Sequence, residues 1–144
     1  MEQATVVGLH ICPGHREPMR QVVSVRAVEN IGLEGDRHAK AESERQVLFI
    51  ESETLEKLGL KQGDVKENVT TRGIVLMDLP VGARLRVGEA VFEVTQACQP
   101  CSRMEELRQG LQLELGGQRG MLTRVVQGGT LKVGDAILSE TPSA

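Results

Sequence analysis

The sequence predicts a mainly β fold, an antiparallel barrel or sandwich of short strands interrupted by two short helices. Three observations predict it. The apolar residues are aliphatic and β-branched, with 17 Val, 16 Leu and 5 Ile against two Phe and no Trp or Tyr, a composition that suits a pleated, half-buried surface. The 16 glycines stand between short apolar runs, not in one tract, which is the punctuation of many tight turns. Several runs alternate with period two, as in Val91-Phe92-Glu93-Val94-Thr95, and strands do not alternate with helices as they do in a parallel, doubly wound sheet.

In chain order the predicted strands are residues 5–11, 21–28, 46–50, 84–87, 90–96, 121–126, 130–133 and 136–138, each rich in Val, Ile, Leu or Thr. The first helix opens at Ser52, a residue type that caps N-termini, carries Glu53 and Lys57 at i,i+4 spacing, and ends at Leu58 before Gly59. The second opens at Ser102, where Ser102-Arg103-Met104-Glu105 has the spacing of a capping box, and runs to Arg108. The segment Leu85-Arg86-Val87-Gly88-Glu89-Ala90-Val91 is echoed by Leu131-Lys132-Val133-Gly134-Asp135-Ala136-Ile137, which reads as two hairpins sharing one Gly-acidic turn. The 144 residues are the size of one domain. That domain is placed over 5–139, with a flexible C-terminal tail over 140–144.

The composition, 40% hydrophobic and 26% charged, is that of a folded globular chain and not of a disordered one. A formal charge of −3 and the near absence of aromatic side chains argue against nucleic acid as a partner, since phosphate contacts need cations and base stacking needs rings. No run approaches the roughly 20 apolar residues of a membrane span, and Met1-Glu2-Gln3 lacks the layout of a secretory signal. The expected location is the cytoplasm. Three cysteines, an odd number, read as reduced thiols with chemistry to perform and not as a disulfide framework.

Two of those cysteines, in Ala97-Cys98-Gln99-Pro100-Cys101-Ser102, join a strong strand to a predicted helix start. Unpaired N–H groups there, with Arg103, favour a thiolate at Cys101 and leave Cys98 as a helper thiol. Burial as small hydrophobes is the ordinary fate of free cysteines, but the C-x-x-C spacing outweighs it. Three chemistries share that spacing. Thioredoxin-like exchange comes with a βαβ pattern that is missing here. Zinc could be held by Cys12, His15, Cys98 and Cys101 in a closed tetrahedral site. A single reactive thiolate could carry sulfur or ligate a soft metal. Around these lie glycine-arginine turns: Gly32-Leu33-Glu34-Gly35-Asp36-Arg37-His38, Asn68-Val69-Thr70-Thr71-Arg72-Gly73 and Gln118-Arg119-Gly120. Any one is ordinary as a solvated hairpin turn; together they suit an anion. His10 and His15 read as strand-end residues and His38 as the histidine facing a ligand.

Taken together, these turns, the run Arg45–Glu51, Cys98–Cys101 and Gly128-Gly129-Thr130-Leu131-Lys132-Val133-Gly134-Asp135 resemble the MOSC domain, the C-terminal domain type of molybdenum cofactor sulfurases, in its small stand-alone bacterial form. The resemblance covers residues 7–137 and rests on several motifs in order. It implies a β-barrel of short, bent, mostly antiparallel strands with a few short α-helices. It implies an essential cysteine at Cys101, as carrier of a persulfide or ligand to molybdenum in a molybdenum-pterin cofactor. It further implies that Gly35, Asp36, Arg37, His38, Asn68, Thr70 and Arg119 line the cofactor pocket, with arginines meeting the pterin phosphate. No pyridoxal phosphate domain is present, so sulfur would come from a donor such as a cysteine desulfurase or pass to a molybdoenzyme acceptor. Cys12 and His15 depart from the family pattern and keep open a zinc-ordered interaction module without catalysis. A molybdenum-dependent reductase component for N-hydroxylated compounds, an activity of some relatives, is a further alternative.

Overall fold

The computed structural model of the chain describes residues 3–140. Among the described residues eleven strands form: β1 (Thr5–Ile11), β2 (Arg20–Val22), β3 (Ser24–Val28), β4 (Gly32–Leu33), β5 (Val47–Glu51), β6 (Val69–Arg72), β7 (Arg84–Val87), β8 (Ala90–Ala97), β9 (Met121–Gln127), β10 (Gly129–Lys132) and β11 (Ile137–Glu140). Two short α-helices, α1 (Ser52–Lys57) and α2 (Leu111–Glu114), and 3₁₀ turns at Leu76–Asp78 and Ser102–Glu106 complete the chain. The predicted mainly β class holds. Glu140, assigned to a flexible tail, is the last residue of β11 and pairs with Arg84; the rest of that tail, 141–144, lies outside the described residues.

The barrel expectation is corrected. The strands make an open eight-stranded sheet, ordered β11-β7-β8-β9-β5-β6-β1-β2, and a separate three-stranded sheet, β10-β3-β4. All pairings are antiparallel except β5 with β6. A parallel pair needs a crossover, and here α1 and the 58–68 loop supply it. The large sheet curls because β1 shifts register between Val6 and Gly8, and β8 shifts at Val91/Phe92 and again at Val94/Gln96; bulges bend strands and raise their twist. Curling brings β1 to the segment before β11, where Thr5 bridges Ala136. Val6 donates to the Asp135 carbonyl at 2.9 Å, and Gly134 and Ile137 donate to Val6 and Ala4, each at 2.8 Å. That short seam is the only contact of barrel type among the described residues, and it does not close the sheet.

The main core fills the concave side, with Phe49 and Phe92 at its centre in a T-shaped pair 5.1 Å apart. Burying each ring contributes roughly 1.5–3 kcal/mol. A second cluster, Ile50, Leu55, Val65, Met104, Leu111 and Leu115, packs the helices and the 61–68 loop against the other face of β5. A third is small and sits beside the cysteine segment: Leu48, Cys98 and Leu122.

Local capping differs from expectation. Glu51, not Ser52, is the N-cap of α1, without a side-chain bond. Its carboxylate accepts from Leu76 N–H at 3.1 Å, because the packing of the 73–76 loop competes for it. Lys57 turns from Glu53 to donate to Gln118 Oε1 at 3.2 Å. The stop at Gly59 holds: Gly59 and Leu60 N–H donate to the Glu56 and Leu55 carbonyls, closing the last turn. The helix predicted from Ser102 is a five-residue 3₁₀ turn with no capping box. Glu105 reaches forward and accepts from Gly110 and Gln112 N–H at 2.8 and 2.9 Å, which caps α2 and holds its carboxyl below the usual range. Of the two echoed Gly-acidic turns only Gly88-Glu89 makes a hairpin, β7 with β8. The other leads from β10, which pairs with β3, to β11, which pairs with β7.

Candidate functional site

Three segments converge at one end of the large sheet: the cysteine segment after β8, the 118–120 turn before β9, and the 61–68 loop before β6. Each is pinned by backbone bonds. Cys98 N–H donates to Gly120 O at 2.9 Å, and Asn68 N–H to Leu48 O at 2.9 Å. Gly120 has φ +102, and a Cβ there would run into the Phe49 carbonyl, so only glycine lets this turn lie against β5 and present Arg119 inward. Gly63 lies flat against the His10 ring, where a Cβ would stand 3.2 Å from Cδ2. Loop 61–68 is thereby seated on β1.

Arg119 is 6% exposed. One terminal nitrogen, Nη2, donates to the Val65 carbonyl; Nε and Nη1 are buried without a hydrogen-bond partner. A buried cation with unused donors is costly unless something anionic meets it. Glu67 contributes to that meeting from below. It is fully buried, its Oε2 accepts from Gly63 N–H at 2.6 Å and from the Thr70 hydroxyl at 3.3 Å, and Oε1 is unpartnered. Burial pushes the Glu67 carboxyl up, against the opposing pull of those donors and of Arg119.

Two pockets share Arg119 and Lys66 as a common wall. The larger, about 390 Å³, contains Cys101 together with Arg16, Lys66, Arg103 and Arg119, and with the carboxylates Asp64 and Glu106, the latter 3.6 Å from Arg16. The smaller, about 120 Å³, contains Cys98 with His38, Arg45, Lys66 and Arg119. Leu48 and Leu122 form its apolar side. Cys101 is exposed, and Cys98 and Cys12 are buried. The cations also reach beyond the larger pocket: the Arg37, Arg103 and Arg16 guanidiniums, Arg37 foremost, hold exposed His15 below the usual histidine value. In a chain of net charge −3, four cations and two carboxylates thus line the pocket of the exposed thiol. The helix N-terminus expected to activate Cys101 is only a short 3₁₀ turn.

The predicted residues divide. Cys101 and Arg119 meet in the larger pocket, and Cys98, His38, Asn68 and Arg119 in the smaller. Asp36 and Thr70 line neither. Asp36 Oδ1 accepts from Cys12 N–H at 2.7 Å and from Asn68 Nδ2 at 3.3 Å, and its Oδ2 stands 3.6 Å from His38 Nδ1. Gly35 is an exposed turn residue with φ +83, packed near Ile11. Arg37 is exposed beside His15. Cys12 donates its thiol to Gly14 O at 3.2 Å, and no three His, Cys, Asp or Glu side chains among the described residues are grouped to hold a metal ion. The four-ligand zinc site of Cys12, His15, Cys98 and Cys101 does not form. Buried His10, lowered by desolvation, lies against Gly63. Lys66, Glu67, Arg16 and Arg45 were not anticipated. Only Lys66-Glu67 directly before the Asn68 motif could have hinted at them.

A family model described as MOSC domain matches residues 34–138. Among solved structures the fold is similar to the YuaD protein from Bacillus subtilis, with TM-score 0.80 and 19% identity over 99% of this chain and 98% of that chain. It is also similar to YiiM from Geobacillus stearothermophilus, with TM-score 0.75 and 22% identity over 95% and 75% of the two chains. YiiM from Escherichia coli gives TM-score 0.71 and 18% identity over 100% and 72%. At these identities the likeness concerns the fold. No curated protein sequence matches the chain. No helix among the described residues is long and apolar enough to cross a membrane.

Proposed function

The chain belongs to the MOSC domain family, which is associated with the molybdenum cofactor, and from that premise we propose that it carries sulfur as a persulfide on Cys101 and holds the anionic end of a molybdenum-pterin cofactor at Arg119 and Lys66. One observation carries this reading: the single exposed cysteine lines a pocket whose buried arginine has two unpartnered nitrogens. The residues fit the group. A phosphate would satisfy the free Arg119 donors, since charge-assisted bonds to guanidinium are among the strongest available, and a thiolate is a ligand type that soft metals select. When bound, the cofactor supplies a molybdenum centre able to accept a sulfur ligand.

The protein's own part is sulfur transfer. The Cys101 thiolate attacks the outer sulfur of a donor persulfide; the new S–S bond forms as the donor's S–S bond breaks, and the donor leaves as a thiolate with the bonding pair. No external oxidant or reductant is needed. Lys66 and Arg103 then stabilise the anionic persulfide, Arg16 being paired with Glu106. The donor in this reading is a cysteine desulfurase and the acceptor the cofactor or a molybdoenzyme, both met in the cytoplasm.

The test is direct. Full-length chain incubated with a cysteine desulfurase and cysteine should gain the mass of one sulfur in an intact-protein spectrum, reversible by dithiothreitol, and Cys101→Ala should gain none. Equal loading of the variant overturns the carrier assignment. Pterin retained by purified wild type and lost from Arg119→Met supports the cofactor half; retention in both overturns the placement of the anion.

A further inference from the structure

The smaller pocket is not needed by a pterin and is too confined to take one. It nevertheless holds three of the chain's cations, Arg45, Lys66 and Arg119, with His38, around the buried thiol of Cys98. Arg119 is 6% exposed, and two of its nitrogens lack a hydrogen-bond partner, so an anion here would meet donors already held in place. At about 120 Å³ the space suits one small tetrahedral anion. Opposite the cations, Leu48 and Leu122 pack with Cys98 and form a dry wall. An anion that is polar at one end and soft and poorly hydrated at the other matches that division.

Resting on the sulfur-carrier reading, the geometry points to this pocket as the binding site of a small sulfonated sulfane-sulfur donor, of which thiosulfate is the simplest, whose outer sulfur passes to Cys98 and then to Cys101. The sulfonate oxygens take the free Arg119 donors and the Lys66 and Arg45 charges, and the sulfane sulfur turns toward Cys98. The Cys98 thiol first gives its proton to solvent. Its thiolate attacks the sulfane sulfur; the bond to the sulfonate sulfur breaks, and sulfite leaves with the bonding pair. Cys101 thiolate then attacks the outer sulfur of the Cys98 persulfide and returns Cys98 to its thiolate. Each step exchanges one S–S bond for another and needs no further reagent. Cations that hold thiosulfate also stabilise the departing sulfite dianion. The shared wall of Arg119 and Lys66 explains how one set of charges serves both pockets in turn.

The experiment is single-turnover loading of the full chain with thiosulfate, read by intact mass, peptide mapping and sulfite release, beside loading by a cysteine desulfurase. Wild type should release sulfite and carry sulfur on Cys101. Cys101→Ala should trap the sulfur on Cys98, although the bulky desulfurase leaves this variant unloaded. Cys98→Ala, which removes the attacking thiolate, should abolish transfer from thiosulfate to Cys101, and Arg119→Met should slow thiosulfate loading by about tenfold to a hundredfold, the equivalent of one or two charge-assisted contacts. Sulfate, which has the oxyanion but no sulfur to transfer, should compete in wild type, a readout that requires no variant to fold. Thiosulfate loading of Cys98→Ala at the wild-type rate, or loading indifferent to sulfate, overturns this proposal and leaves the carrier reading standing. Cys101 unloaded by either donor overturns the carrier reading itself.

Discussion

Two buried polar clusters lie side by side at the same end of the sheet, and adjacent residues, Glu67 and Asn68, belong to different ones. Asn68 spends every polar group. Its Oδ1 accepts from Leu48 N–H at 2.9 Å, and its Nδ2 donates to His10 O at 3.1 Å and to Asp36 Oδ1 at 3.3 Å. Its backbone joins Leu48 and His10 as well. Asn68 and Asp36 thus tie β1, β5 and the 33–38 turn together. In the neighbouring cluster, Glu67 Oε1 and Arg119 Nε and Nη1 have no hydrogen-bond partner, and around Asn68 itself two atoms are also left over, His10 Nδ1 and Asp36 Oδ2, the latter 3.6 Å from His38 Nδ1. Satisfied polar groups specify a fold; unsatisfied ones mark where the fold waits for something. The difference is that every polar group of Asn68 is spent on holding strands, whereas Arg119 keeps two donors unused beside the pocket of the exposed thiol.

Substitution at the two sites should separate these roles. Asn68→Ala strands Leu48 N–H and the His10 carbonyl together, and should lower stability by about 2–4 kcal/mol in urea denaturation. Arg119→Met should cost less stability than Asn68→Ala while weakening anion binding about tenfold or more, since it gives up one hydrogen bond, to the Val65 carbonyl, and removes a buried cation with two unused donors. Comparable stability losses in both would erase the distinction.

The pH dependence sharpens it further. Burial raises the Glu67 carboxyl above its unfolded value, so folding favours its protonated form. The resulting stability is fully present below the unfolded glutamate value and is lost as pH rises through the folded one. Glu67→Gln should flatten that fall in a series of thermal melts across the acid range; an unchanged profile would assign the slope elsewhere. The smallest effect is expected at the rim. Arg37 is the foremost cause of the low His15 value, so Arg37→Ala should move His15 upward in an NMR titration with hardly any change in stability.

Much of the fold was legible because its pattern is local. β1 and β7 coincide with the predicted spans 5–11 and 84–87, where apolar residues and turn glycines mark both ends. β6 went unread because Thr70 and Thr71 are polar yet buried, their hydroxyls bonded to Glu67 and to Ile50 O; the alternation that signals a strand was disguised. β4, Gly32-Leu33, is too short to show a period. At the site, the C-x-x-C spacing exposed Cys98 and Cys101. Lys66, Glu67 and Arg45 carry no local signal beyond their places beside or within the quoted motifs, since only the parallel crossover between β5 and β6 and the turn at Gly120 bring them to those thiols. The family turns directed attention to Asp36 and Asn68, which bond strands and turn together, Asn68 also lining the smaller pocket.

The seam between the ends of the large sheet sets the order of events in folding. Thr5 meets Ala136 across nearly the whole described chain, through one bridge and three hydrogen bonds. Contacts so distant in sequence incur the largest loop-closure entropy and form late, whereas β7 and β8 need only a two-residue turn. The amides of Val6, Gly134 and Ile137 should therefore be among the first in the sheet to exchange with solvent deuterium, opening as one unit while the Phe49–Phe92 centre stays protected.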